Sequence, residues 1–148
     1  MMTAGESPEH ILEYWYSKKV AKHWFVSTPE LDAEIKRQYE HTWKRASVGE
    51  LDCWQESPKS CLALLIVLDQ FPLNMYRGKP QCFSTEPKAI SITYYALQNK
   101  YDEQLEKPML SFLFMPLMHS ESTLIHETAM QLYDQPGLEF NLGFEKKH

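Results

Sequence analysis

The segment that decides the fold is Cys61-Leu62-Ala63-Leu64-Leu65-Ile66-Val67-Leu68-Asp69-Gln70-Phe71-Pro72-Leu73-Asn74-Met75-Tyr76-Arg77-Gly78. Its first eight residues are apolar, and a carboxylate, two amides and an arginine follow them. A helix that is apolar on every side is normally surrounded by other helices. The sequence therefore predicts a central buried helix over 58–70, with the densest polar cluster of the chain at its carboxyl end.

Length and composition fit one soluble domain. The chain has 148 residues, of which 43% are apolar and 24% charged, so it can bury a core without metal or disulfide bonds. Its longest apolar run is too short to cross a membrane, and the first ten residues have no features of a secretion signal. Three cysteines without Cys-x-x-Cys spacing fit reduced thiols. We expect a cytoplasmic protein with a single all-helical domain over 1–148.

The charge balance argues against a nucleic-acid partner. A net charge of −5 opposes the attraction to phosphates on which most nucleic-acid binders rely. Two local basic clusters, Lys18-Lys19 with Lys22-His23 and Lys44-Arg45, are explained more simply as solvated helix faces.

Proline placement predicts where helices begin, because proline suits the first helical position. Ser7-Pro8, Thr28-Pro29 and Ser57-Pro58 each join a hydroxyl N-cap to such a proline, whereas Pro87 and Pro108 follow poorer caps. Helices are predicted over 8–16, 29–46, 58–70, 87–100, 108–118 and 121–134, with Pro72 ending the third and Pro116 kinking the fifth. No segment shows the two-residue alternation of strands, so the expected fold class is all-α, built from antiparallel helix pairs.

Two helices carry apolar stripes that predict their buried faces. On the helix over 29–46 the stripe consists of Leu31, Ile35, Tyr39 and Trp43. On the helix over 87–100 it consists of Ile90, Tyr94, Leu97 and Tyr101.

Asp69 is the first candidate for function, because a carboxylate at the end of a buried helix needs a cation, solvent or N–H donors. Arg77 is the nearest cation along the sequence. Two interpretations stay open: an Asp69–Arg77 ion pair that fixes the turn, or a pocket in which Asp69, Gln70, Asn74 and Arg77 bind an anion through the guanidinium.

A second polar cluster, His119-Ser120-Glu121, closes the apolar run 112–118. His119 and Glu121 do not share a helix face, and His126 lies two turns farther on, so we expect no metal and no cofactor. The alternative to a functional role is that Ser120 caps the last helix, Glu121 is solvated and His119 bonds locally.

The search for catalytic residues leaves the reaction unknown and the question of an enzyme open. Glu86 could pair with Asp69 for acid–base work, although helix capping also explains Thr85-Glu86-Pro87. Ser120 lacks a Gly-x-Ser-x-Gly setting, and nothing marks the thiol of Cys82 as activated.

Three separated motifs, 68–78, 83–86 and 115–121, together with Gly49-Glu50-Leu51-Asp52-x-Trp54 and the opening residues 11–16, make the chain resemble the bacterial family called domain of unknown function 924. The resemblance implies a helical fold similar to tetratricopeptide-repeat proteins, and it supplies no reaction. Members usually carry arginine where this chain has Leu73. Members also continue beyond a segment like 144–148, so the chain would lack a terminal helix and expose an apolar face suited to a homo-oligomer.

Two functions follow from the sequence. The first is a helical-repeat binding or scaffold module for a peptide or protein segment. The second is a small-molecule pocket for an anion, or a hydrolase-like enzyme that uses Asp69, Arg77 and His119. The candidate pocket comprises Asp69, Gln70, Asn74, Arg77, His119 and Glu121.

Overall fold

The computed structural model describes residues 7–139, and every regular element among them is helical. The helices are α1 (Pro8–Trp15), α2 (Lys18–Ala21), α3 (Pro29–Ser47), α4 (Pro58–Leu65), α5 (Phe71–Met75), α6 (Glu86–Gln98), α7 (Lys107–Leu113), α8 (Met115–Met118) and α9 (Thr123–Tyr133). The all-α prediction is confirmed. The repeat-like pairing of helices and the single-domain boundary stay predictions, and the prediction about the chain after 144 lies outside the described residues.

The helix starts follow the hydroxyl–proline pairs. Ser7 accepts a hydrogen bond from the backbone N–H of His10 at the start of α1, and Thr28 accepts one from Leu31 at the start of α3. Ser57 precedes α4 in the same way but makes no such cap bond, and its hydroxyl lies 2.6 Å from that of Ser60 instead.

The segment quoted first is the centre of the structure, as predicted. Every residue from 61 to 72 is buried, and α1, α6 and α7 pack against α4 while α3 packs against α5. Burial of apolar side chains is the main favourable term in folding, so this segment supplies the core around which the helices assemble. Among residues 7–139 no helix is both long and apolar enough to cross a membrane.

The prediction that Pro72 ends the central helix is wrong in detail. The chain passes through a π-helical turn, Ile66–Gln70, and continues as α5 with Pro72 in its first turn. The Phe71 N–H donates to the carbonyl five residues earlier, on Ile66. Pro72 has no N–H for the Leu68 carbonyl and its ring crowds that group, which gives a physical reason for the wider turn.

The stripe predicted for α3, Leu31, Ile35, Tyr39 and Trp43, is buried as expected, whereas the buried face of α6 differs from its predicted stripe. On α6 the buried residues after Glu86 are Ala89, Ile92, Thr93 and Ala96. Of the predicted stripe, Tyr101 is buried, Ile90 and Leu97 pack against the core while partly buried, and Tyr94 is 38% exposed. Small side chains allow α6 to approach α4 and α8 closely, so the larger ones are left at the edges.

The last helix begins at Thr123 rather than Glu121, capped by Ser122 rather than Ser120.

Arg77 is bound to Asp32 and not to Asp69, so the predicted Asp69–Arg77 pair is wrong. The guanidinium donates to the two carboxylate oxygens of Asp32 at 2.8 and 3.2 Å. Asn74 and Ser27 donate to the same carboxylate at 2.9 and 2.8 Å. These bonds tie the first turn of α3 to the end of α5. Partial burial works to raise the pKa of Asp32, but the donors outweigh it and the pKa is lowered.

We expect Arg77→Ala to lower the free energy of unfolding by about 1 kcal/mol, because the arginine side chain is 56% exposed and solvent screens the pair. The exposed Lys44→Ala is the matched control and should change it by less than about 0.5 kcal/mol. Since the pKa of Asp32 is lowered in the folded state, its stabilisation is complete above the unfolded pKa and is lost as the pH falls through the folded one. Urea unfolding at several pH values should therefore show that Asp32→Asn lowers the free energy of unfolding less in acid than near neutral pH. For Arg77→Ala, a loss of about 3–5 kcal/mol would indicate a buried ion pair instead.

Candidate functional site

Three ionisable side chains from three separate elements meet beside the central helix. Asp69 belongs to the π-helical turn, Glu86 is the first residue of α6 and His119 follows α8. His119 Nδ1 lies 2.8 Å from Asp69 Oδ1 and 3.7 Å from Glu86 Oε1. One nitrogen or oxygen atom from each residue lies within 4.8 Å of the others. We call Asp69, Glu86 and His119 the acid–histidine cluster.

The π-helical turn before Pro72 also positions the carboxylate of Glu86. The Thr85 hydroxyl donates to the Leu68 carbonyl at 2.6 Å, which is the group that Pro72 cannot serve. The indole N–H of Trp43 donates to the same hydroxyl at 3.1 Å. Thr85 directly precedes Glu86, so this buried chain of hydrogen bonds fixes the start of α6 next to Asp69.

Asp69 and His119 form a buried ion pair. Burial works to raise the pKa of Asp69, but the charge and hydrogen bond of His119 outweigh it and the pKa is lowered. Burial works to lower the pKa of His119, but the Asp69 carboxylate outweighs it and raises the pKa of the imidazole well above its usual value. The Gln70 amide donates to the second oxygen of Asp69 at 2.8 Å, so the carboxylate has a partner on each side.

Glu86 is different, because its buried carboxyl group has no hydrogen-bond partner among the described residues, and the His119 imidazole lies 3.7 Å from it. Neither oxygen makes a hydrogen bond to any residue in the described part of the chain. His119 is too far from it for a normal hydrogen bond. Burial, and then the negative charge of Asp69, raise the pKa of Glu86 to about 9. The fold therefore maintains an acid that costs stability where it stands.

A groove of about 640 Å³ opens over the cluster, and Glu86 and His119 form part of its lining. Its apolar wall is formed by Phe83, Pro87, Ile90 and Ile125. Glu121 also lines the groove, and no lysine or arginine does so among residues 7–139. The floor is polar and acidic, whereas most of the wall is apolar.

The structure brings together part of the predicted pocket. Asp69, Gln70 and His119 are joined by hydrogen bonds, and Glu121 lines the groove above them. Asn74 and Arg77 belong to the Asp32 cluster instead. The expectation that His119 bonds locally is wrong, because its partner lies 50 residues away.

The candidate pocket predicted from the sequence does not include Glu86, which the sequence offers only as a carboxylate partner of Asp69. Its signal was hidden, because Thr85-Glu86-Pro87 is also an ordinary helix start. The prediction of no metal rests on the spacing of His119, Glu121 and His126 along one helix. The cluster instead draws one side chain from each of three elements, which no local spacing reveals.

Cys61 and Cys82 do not provide an activated nucleophile. Burial raises the pKa of the Cys61 thiol to about 12. Burial, and then the charge of Glu86, raise the pKa of Cys82. A thiolate is the reactive form, so both groups are held in the inert one.

We expect Glu86→Met to raise the free energy of unfolding by about 1–2 kcal/mol, because it replaces a buried carboxyl group without partners by an apolar side chain of similar size. The same change at the exposed Glu127 should alter it by less than about 0.5 kcal/mol. Urea denaturation of the three proteins measures both values. A clear loss of stability in Glu86→Met would contradict the account of Glu86 as an acid without partners.

Comparison with known proteins gives a family but no reaction. Residues 11–148 match the family model described as bacterial protein of unknown function, DUF924. A protein of unknown function from Agrobacterium tumefaciens, ATU0120, has a similar solved structure, with a TM-score of 0.89 and 28% sequence identity over 95% of this chain and 79% of that one. No curated protein matches the sequence. Since the family model covers nearly the whole chain, the protein belongs to the bacterial DUF924 family.

Proposed function

We propose that the protein is a hydrolase-like enzyme that takes a small, uncharged and largely apolar substrate into the groove and acts on it with the acid–histidine cluster. One observation carries this proposal: the buried Asp69 and Glu86 meet the partly buried His119 beside a mostly apolar groove, and Glu86 and His119 form part of its lining. Convergent polar groups in a concave apolar site are the usual setting of catalysis. Glu86 and His119 line the groove and would touch the substrate, whereas Asp69 is a positioning residue that orients His119.

The charges around the groove indicate the substrate class. An anion would meet the carboxylate of Glu121 in the lining, no lysine or arginine among the described lining residues would offset it, and the imidazole of His119 is already paired with Asp69. Arg77, expected from the sequence to hold an anion, is bound to Asp32. The apolar wall favours an acyl or aromatic group, so a neutral ester or amide fits better than a phosphate or carboxylate.

A binding module for a peptide segment is the second candidate, and the shape of the groove supports it. The groove opens to solvent along α6, and its lip includes Phe83, which is 56% exposed. An apolar side chain of a peptide could occupy it as a small molecule would. This function needs the wall but not the acid–histidine cluster, so variants of the two parts separate the candidates.

We expect the protein to hydrolyse p-nitrophenyl butyrate, a neutral ester, and not the anionic p-nitrophenyl phosphate. Asp69→Asn should lower kcat/KM for the butyrate about 100-fold, because His119 loses the carboxylate that orients it. Ile90→Ala should mainly raise KM, because it removes part of the wall. Glu127→Gln is the control and should leave both constants unchanged.

Equal rates for the wild type and Asp69→Asn would contradict an enzyme. A thermal-shift screen of the same proteins with peptides then tests the second candidate. A rise in melting temperature that Ile90→Glu abolishes and Asp69→Asn preserves would favour the binding module.

A further inference from the structure

We propose that Asp69, Glu86 and His119 together bind one divalent transition-metal ion of the Zn²⁺ or Mn²⁺ type at the floor of the groove. The inference rests on the proposed function for the role of the ion in the reaction. Binding of the ion itself needs no substrate and can be measured alone.

The geometry is close to that of a coordination sphere. Ligand atoms bound to one zinc ion at about 2.0–2.2 Å can lie no more than about 4.4 Å apart. The three candidate atoms already lie within 4.8 Å of one another, and Asp69 and His119 are in direct contact. Small side-chain rotations therefore suffice to bring all three onto one ion.

Glu86 supplies the second, independent observation. Its side chain is 8% exposed, and neither carboxylate oxygen has a hydrogen-bond partner in the described part of the chain. If the cluster were only a structural ion pair, Asp69 and His119 would complete it and Glu86 would have no reason to be there. A cation bound between the three residues gives the Glu86 oxygens the partner that the protein does not provide.

The donor set indicates the class of metal. Two carboxylates balance the charge of a divalent ion, and the imidazole favours Zn²⁺, Fe²⁺ or Mn²⁺ over Ca²⁺ and Mg²⁺, which prefer oxygen donors alone. Three protein ligands leave at least one coordination position for water. Two of the three residues line the groove, so that water would be accessible to a bound substrate.

The test is isothermal titration calorimetry of tag-free, chelator-treated protein with zinc chloride and, separately, manganese chloride. We expect one ion per chain for at least one of the two metals. Glu86→Gln, which keeps the shape and removes the charged donor, should weaken binding of that metal at least tenfold. Glu127→Gln is the matched control and should bind as the wild type does. No binding at one ion per chain, or equal binding by Glu86→Gln, would overturn the proposal.

Cobalt absorption keeps the test valid if Glu86→Gln does not fold. Wild-type protein with one equivalent of Co²⁺ should show visible bands of a four- or five-coordinate site, and one equivalent of Zn²⁺ should remove them. Absence of such bands would count against the site. One-to-one metal binding without ester hydrolysis would support the metal site and contradict the hydrolase. Hydrolysis without any metal binding would support the hydrolase and contradict the metal site.

Discussion

The structure depends on how the fold satisfies one buried carboxylate. Asp69 follows eight apolar residues in the most buried helix and is 1% exposed. An isolated charge in that place would cost several kcal/mol, so the chain must bring a partner to it. That partner is His119, which lies in the turn after α8. The contact links two segments that are 50 residues apart in sequence, so the helices between them must pack in a way that brings Asp69 and His119 together.

A proline fixes the rest of the site. Because Pro72 cannot donate to the Leu68 carbonyl, the hydroxyl of Thr85 does so, and Thr85 directly precedes Glu86 at the start of α6. The same turn that presents Asp69 therefore places the second acid beside it. Neither Glu86 oxygen makes a hydrogen bond to a described residue, and Asp69 and His119 already pair without Glu86. Proteins keep a buried group that lowers stability mainly where a functional site needs it. The acid–histidine cluster is therefore a stronger reason to propose catalysis than the open groove is.

The sequence predicts the frame of the molecule better than its site. Hydroxyl–proline pairs mark helix starts through local backbone chemistry, and the apolar segment 61–68 is buried because no arrangement could expose it cheaply. Arg77 is the cation nearest to Asp69 along the sequence, yet tertiary packing assigns it to Asp32. His119 was recognised as a candidate but not as the partner of Asp69. Glu86 resembled an ordinary helix cap, and only its surroundings in three dimensions distinguish it.

The most direct test of this account is a double-mutant cycle of Asp69→Asn and His119→Gln, measured as free energies of unfolding in urea. Asp69 and His119 are in direct contact, so the cycle should give a coupling energy of about 2–3 kcal/mol. Each single variant should lose stability, and the double variant should lose less than the two single losses added together. A coupling energy near zero would mean that Asp69 does not rely on His119, and the account of the fold and of its site would then be wrong.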